Sequence, residues 1–172
     1  MKTILTTFAL IALPVNFACA WIGETVAEAT KSYGEAYDVI TTKTNTWHRY
    51  RFNGFYINLD FGKDGKVVEV EYIRNWNLPV FKSEASSEVT QLSDNEIQNF
   101  LNANGGGREW THAEGLGQSW FQADGLRAYY GYQQDDPSPE KWHYSLIVMT
   151  EEQYQYIQQR IKEVKNAAQS AF

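Results

Sequence analysis

The stretch NLDFGKDGKVVEVE, residues 58–71, carries two patterns associated with metal chemistry. Asp60-Phe61-Gly62 spells the metal-binding tripeptide of protein kinases. Counted from Asp60, the same residues half-fit a calcium loop, with Asp64 at position 5, Gly65 at position 6 and Glu71 at position 12. A kinase site also needs a glycine-rich nucleotide loop, a strand lysine and a catalytic loop, and none is in the sequence. The calcium loop has Gly62 and Val68 at positions 3 and 9, where oxygen ligands belong. Phe55, Ile57, Leu59 and Phe61 instead alternate along one side of a strand, with Val68, Val70 and Tyr72 as the matching inner row. Asp64-Gly65 then supplies a hairpin turn, and Asp60, Glu69 and Glu71 become outward, solvated carboxylates. The alternative to a plain turn is a weak calcium site.

The other residues capable of chemistry lack the partners that such chemistry needs. A glycosidase needs two carboxyls facing each other across a cleft, one with a raised pKa, and acids along one exposed sheet surface meet neither condition. His48, His112 and His143 each follow a tryptophan in a predicted strand, with no H-x-H or H-E-x-x-H to set two ligands side by side. Ser119 lies near Gly115 and Gly117 but not in the G-x-S-x-G elbow of a hydrolase. Gly105-Gly106-Gly107 follows a helix, so its amides cannot meet a phosphate at a helix N-terminus. No catalytic residue, cofactor or metal is expected.

The strand Trp47-His48-Arg49-Tyr50-Arg51-Phe52 offers a binding patch. Alternation puts Trp47, Arg49 and Arg51 on one side and His48, Tyr50 and Phe52 on the other. If the second set faces the helices, the first lies on an open face beside Tyr56 and Asn58. Tryptophan, tyrosine and arginine are the residues that binding hot spots favour. The competing expectation is cross-strand pairing of the arginines with Glu69 and Glu71 on an ordinary polar surface.

These residues sit on elements with clear sequence signals. Thr25-Val26-Ala27-Glu28, Ser93-Asp94-Asn95-Glu96 and Thr150-Glu151-Glu152-Gln153 have the capping-box pattern and open three helices. The first ends at Tyr33-Gly34 and the second at Asn104-Gly105; the third carries Tyr154, Ile157, Ile161 and Val164 on one stripe. Period-two segments at 47–52, 55–61 and 66–74, then at 109–113, 118–123, 126–132 and 142–149, predict antiparallel strands. Breaks are expected at Asn53-Gly54, Asp64-Gly65, Gly115-Leu116-Gly117, Asp124-Gly125 and 135–139. Trp47 answers Trp110 and Asp64-Gly65 answers Asp124-Gly125, which suggests an α-β-β-β unit used twice. The expected fold is α+β: one domain over 21–172, with units at approximately 21–80 and 92–172 joined by a Ser/Glu-rich connector at 81–91. An antiparallel sheet carries helices on one face, plus a C-terminal helix.

Gly23-Glu24-Thr25, Tyr33-Gly34, Trp47, Tyr50, Leu59-Asp60-Phe61 and Gly65-Lys66-Val67 resemble the motifs of the SmpA/OmlA (BamE) periplasmic modules, over residues 22–73. The tandem layout is similar to the β-lactamase-inhibitor-protein-like fold, whose open sheet face binds enzymes. The family's proline after the second glycine is replaced by Glu35-Ala36.

The first twenty residues, MKTILTTFALIALPVNFACA, read as a signal peptide, with Lys2, an apolar core from Ile4 to Val15 and an A-x-A site ending at Ala20. The alternative is lipidation of Cys19, although Asn16 stands where a lipoprotein signal carries an apolar residue. Cleavage after Ala20 removes the only cysteine, which excludes disulfides and cysteine chemistry from the remainder. The net charge of −6, made more negative by loss of Lys2, disfavours nucleic acid and anionic membranes as partners. The expected role is an exported, non-catalytic module, periplasmic or extracellular, that binds another protein. The alternatives are a secreted hydrolase with a site hidden from sequence and a lipid-anchored envelope component.

Overall fold

Alternation of apolar and polar residues dominates the chain, and it produces an antiparallel sheet of eight strands with helices packed on it. The computed structural model describes residues 21–74, 91–115, 118–133 and 143–170. The leader at 1–20, most of the connector and the loop at 135–139 lie outside the described residues. Helix α1 (Val26–Tyr33) is followed by β1 (Asp38–Thr41), β2 (Thr46–Phe52), β3 (Phe55–Phe61) and β4 (Val67–Arg74). Helix α2 (Asp94–Gly105) is followed by β5 (Thr111–Gly115), β6 (Gln118–Ala123), β7 (Leu126–Gln133) and β8 (His143–Thr150), and α3 (Glu151–Ser170) continues from β8. The class is α+β.

The strand order β1-β2-β3-β4-β8-β7-β6-β5 gives each half a helix and four strands, with the two last strands meeting in the middle. They pair antiparallel from Glu69↔Met149 to Ile73↔Ser145. The first half therefore has one strand more than its alternation predicts. β1 is a four-residue edge strand with no buried residue, so it leaves no period-two signature and exists by pairing with β2.

Two of the three predicted reciprocal caps form in full, at α1 and α2. Thr25 accepts from the Glu28 amide while the Glu28 side chain accepts from the Thr25 amide, and Ser93 and Glu96 do the same. Each such cap is worth about 1 kcal/mol, because it satisfies amides that a first helical turn leaves orphaned. At α3 only half of the expected box forms. The Gln153 amide donates to Thr150 Oγ1 at 3.1 Å, but the Gln153 side chain turns away to the sheet.

Helices α1 and α2 cover one face. Ala29 and Tyr33 of α1 and Ile97, Phe100 and Leu101 of α2 join Tyr50, Ile57, Leu59, Phe61, Val70, Tyr72, Ala128, Leu146 and Val148 in a core that spans both halves. Phe100 stacks on Tyr72 with ring centres 4.0 Å apart and meets Phe55 edge-on at 5.2 Å. Burying one such ring stabilises the fold by roughly 2–3 kcal/mol. Asn104 is buried in this layer and donates to Tyr72 Oη at 2.9 Å while its oxygen accepts from the Ile22 amide at 3.2 Å.

The stretch at 58–71 is a hairpin, with Gly65 at φ 73° and Asp64 Oδ1 accepting from the Lys66 amide at 3.1 Å. Its inner row differs from expectation at one residue. The register shifts at Asp60/Phe61, so Phe61 pairs with Val67, and Val67, not Val68, joins Val70 and Tyr72 inside. A β-bulge inserts an extra residue that period-two reading cannot anticipate.

Candidate binding face

The other face of the sheet is read directly from the strand register. One row runs Trp120–Tyr129–Ile147–Glu71–Asn58–Arg49–Asp38. A second runs Gln122–Arg127–Met149–Glu69–Asp60–Trp47–Ile40, and a third Gly131–Ser145–Ile73–Tyr56–Arg51. Trp47, Arg49, Arg51, Tyr56 and Asn58 thus share this face, while His48, Tyr50 and Phe52 point to the helices.

Arg49 and Arg51 do not pair with Glu69 and Glu71. Arg49 Nη1 reaches Asp38 Oδ2 at 3.1 Å, a partner that appears only because β1 exists. Arg51 lies over two rings, 4.5 Å from the centre of Tyr37 and 5.4 Å from that of Tyr56. The two rings sit 6.1 Å apart, and Tyr37 is 47% exposed. Stacking a guanidinium against aromatic faces is favourable by about 0.5–1 kcal/mol at an exposed site. It also holds a long, rotamer-rich side chain ready for contact.

At the opposite flank, Trp120 packs against Tyr129 at 4.7 Å and remains 41% exposed. Tyr129 lies along its strand over Gly131; a Cβ on Gly131 would come within 2.7 Å of Tyr129 Cζ. Sequence reasoning missed this pair, since cross-strand neighbours on β6 and β7 are set by register. The signal was available in Trp120 and in the Tyr129-x-Gly131 spacing.

Between the flanks, Glu71 Oε2 accepts from Asn58 Nδ2 at 2.7 Å, and Glu71 Oε1 lies 3.6 Å from His143 Nε2. Burial pushes the Glu71 carboxyl up, but hydrogen bonds from His143 and Asn58 together with the His143 charge outweigh it and hold Glu71 below the ordinary range. His48 and His112 lie on the helix side, against Phe61 and Phe121 respectively, so the three histidines do not converge. Among the described residues no group of three or more His, Cys, Asp or Glu is arranged to hold a metal ion.

Asp60 and Glu69 correct the expectation of solvated carboxylates. They face outward from the core, yet Asp60 is 0% and Glu69 7% exposed. The first turn of α3 lies against this part of the face. Gln153 Nε2 is 3.4 Å from Asp60 Oδ2 and 3.2 Å from Glu69 Oε2, and Asn45 also donates to Asp60 Oδ2. Arg127 pairs with Glu151 and lies over the Tyr154 ring. Burial raises the Asp60 carboxyl to about 6, against a smaller lowering by the Asn45 hydrogen bond. It raises Glu69 to about 7, with Gln153 lowering it and the Asp60 and Glu71 charges raising it. These carboxyls are neighbours on adjacent strands, not groups opposed across a substrate cleft, and one amide occupies both.

Compared with known protein families and with curated proteins, the sequence matches none. Among solved structures, partial likeness extends to a cysteine-rich secretory protein from Staphylococcus aureus, at 13% identity and TM-score 0.39, covering 77% of this chain and 46% of that one. It extends also to an extracellular protein containing an SCP domain from Bacillus anthracis, at 11% identity and TM-score 0.39, covering 89% and 50%. The chain spans about half the length of each.

Proposed function

We propose that this chain is an exported, non-catalytic binding module that recognises another protein through the sheet face opposite α1 and α2. One observation carries the reading: two aromatic groups, Tyr37–Arg51–Tyr56 and Trp120–Tyr129, flank the fixed polar group Asn58–Glu71–His143 on one continuous surface. Anchors of Trp, Tyr and Arg dominate protein interfaces, and stacked rings lose little conformational freedom on contact. A central ionised carboxylate that already holds an asparagine and a histidine favours orientation over turnover. The hydrolase reading finds less support, because Asp60 and Glu69 lack a cleft between them for sugar and water.

The reading places the module outside the cytoplasm after cleavage at Ala20, with kinship to the SmpA/OmlA and β-lactamase-inhibitor-protein-like folds. No helix among the described residues is long and apolar enough to cross a membrane. Photo-crosslinking in producing cells tests the proposal. A crosslinking residue in place of Tyr56 or Tyr129 is expected to capture the same protein, and one in place of the exposed Lys31 on α1 is expected to capture none. Once that protein is in hand, Arg51→Ala/Trp120→Ala should weaken its binding at least about 10-fold. Equal capture from position 31, or no capture from the two face positions, would refute the reading.

A further inference from the structure

We propose that Asp60 and Glu69 form a proton-operated latch that holds the first turn of α3 on the sheet and, if that face is the binding surface proposed above, controls access to one edge of it. The two residues are register partners on β3 and β4, both buried, and both accept from the single nitrogen Gln153 Nε2. Asp60 Oδ1 is buried and has no hydrogen-bond partner among the described residues. The donors on the pair are two neutral amides, Asn45 from the β1–β2 turn and Gln153 from α3.

The surrounding groups do not neutralise the pair. On β4, Glu71 adds negative charge and is matched to His143 of β8. On β7, Arg127 is committed to Glu151 of α3, and α3 also brings Glu152. The β3–β4 hairpin carries Lys63, Asp64 and Lys66, all exposed, and the β1–β2 turn carries exposed Lys43. Arg49 of β2 is paired with Asp38 of β1. The direct strand neighbours of the pair are Trp47 and Met149, neither of which titrates. Among the described residues no cation lies within ion-pair distance of either carboxyl.

Two adjacent buried carboxyls with no cation in ion-pair distance among the described residues cannot both ionise cheaply, so docking favours their protonated forms. Raised carboxyl pKa values mean that the docked state binds protons more tightly than a state in which water reaches the pair. Docking is therefore strongest at acidic pH and weakens as pH rises through about 6 to 7, the values held by Asp60 and Glu69. Besides Gln153, the contacts that hold α3 among the described residues include the Arg127 ion pair, the Arg127 contact with Tyr154 and the Thr150 cap, all in the first turn; Ile157 is half-buried and residues 158–167 are exposed. Loosening that turn uncovers Asp60, Glu69 and Met149 beside Trp47 and extends the face by a row.

Hydrogen exchange on the whole protein at pH 5.5 and 8, corrected for intrinsic rates, tests the latch. In the wild type, peptides over 151–160 should lose at least about 10-fold in protection at pH 8 relative to peptides over β7 and β8. Asp60→Asn/Glu69→Gln keeps the shapes and hydrogen bonds while removing the charges, and should hold its acid-level protection at pH 8. Glu69→Gln alone, which leaves Asp60 in place, should show most of that retention and serves if the double variant folds poorly. His143→Gln should leave the wild-type loss intact, which separates the pair from the neighbouring histidine. Protection independent of pH in the wild type, or the same loss in the carboxamide variants, overturns the latch. Failure here with successful crosslinking at positions 56 and 129 removes only the latch; an intact latch without crosslinks removes only the binding reading.

Discussion

Gly131 and Gly105 show how single atoms shape each side of the sheet. At Gly131 a new Cβ would push against the far end of the Tyr129 side chain, which can swing aside. Gly131→Ala should therefore change stability by less than about 1 kcal/mol while tilting Tyr129 off the sheet; chemical denaturation measures the first and binding of the crosslinked partner the second. At Gly105 the Cβ would come within 2.7 Å of Trp110 Nε1, whose N–H donates to the Leu101 carbonyl at 2.9 Å and closes the end of α2. Trp110 packs against the core, so Gly105→Ala breaks that bond and should cost about 1–3 kcal/mol by the same measurement. Residue-scale chemistry was only partly legible. Alternation placed Trp47, Arg49, Arg51, Tyr56 and Asn58 on one face, because direction in a strand is local. It could not show that Asp60 and Glu69 are buried, because their cover is Gln153, 84 residues from Glu69 in sequence. Gln153 itself fits a capping pattern, and only the tertiary position of α3 redirects its amide.

Helix caps give element-scale tests with a built-in contrast. Thr25→Ala and Ser93→Ala each remove a reciprocal cap and should lower stability by about 1 kcal/mol. Thr150→Ala removes only the acceptor for the Gln153 amide; it should loosen α3 in exchange measurements and move the global unfolding midpoint less than the other two. The contrast follows from packing: α1 and α2 contribute buried residues to the core, whereas α3 rests on the sheet by its first turns. Helix boundaries were legible because caps are made by residues three apart. The hairpin at 61–67 was legible for the same reason, with Asp64-Gly65 sufficient to turn the chain. β1 and the bulge at Val68 were not, since an exposed edge strand is defined by its neighbour and a bulge by a mismatch with its partner.

At the scale of the molecule, the two halves share what each would need in order to fold. The last strand of each is central in the assembled sheet and would be a bare edge in isolation. Phe100 and Asn104 of the second half pack on and bond to Tyr72 of the first, and Glu96 pairs with Arg74 across the same boundary. A chain of roughly 60 residues buries only about 60% of the surface it exposes when unfolded; the first half is about that size and the second not much longer, and with a single cysteine in the sequence no disulfide within either half compensates. Fragments 21–74 and 91–170 should therefore each show the circular dichroism of an unfolded or aggregating chain. Mixed in equal amounts from denaturant, they should regain the near-ultraviolet signal of the packed aromatic core. The recovered signal should be lost with Tyr72→Ala in the first fragment, because that ring is the floor on which Phe100 stacks and its hydroxyl accepts from Asn104. A cooperative unfolding transition in either fragment alone would make the halves separate domains. The face that crosses their seam, from Trp120 to Arg49, would then join two independent bodies instead of lying on one rigid sheet.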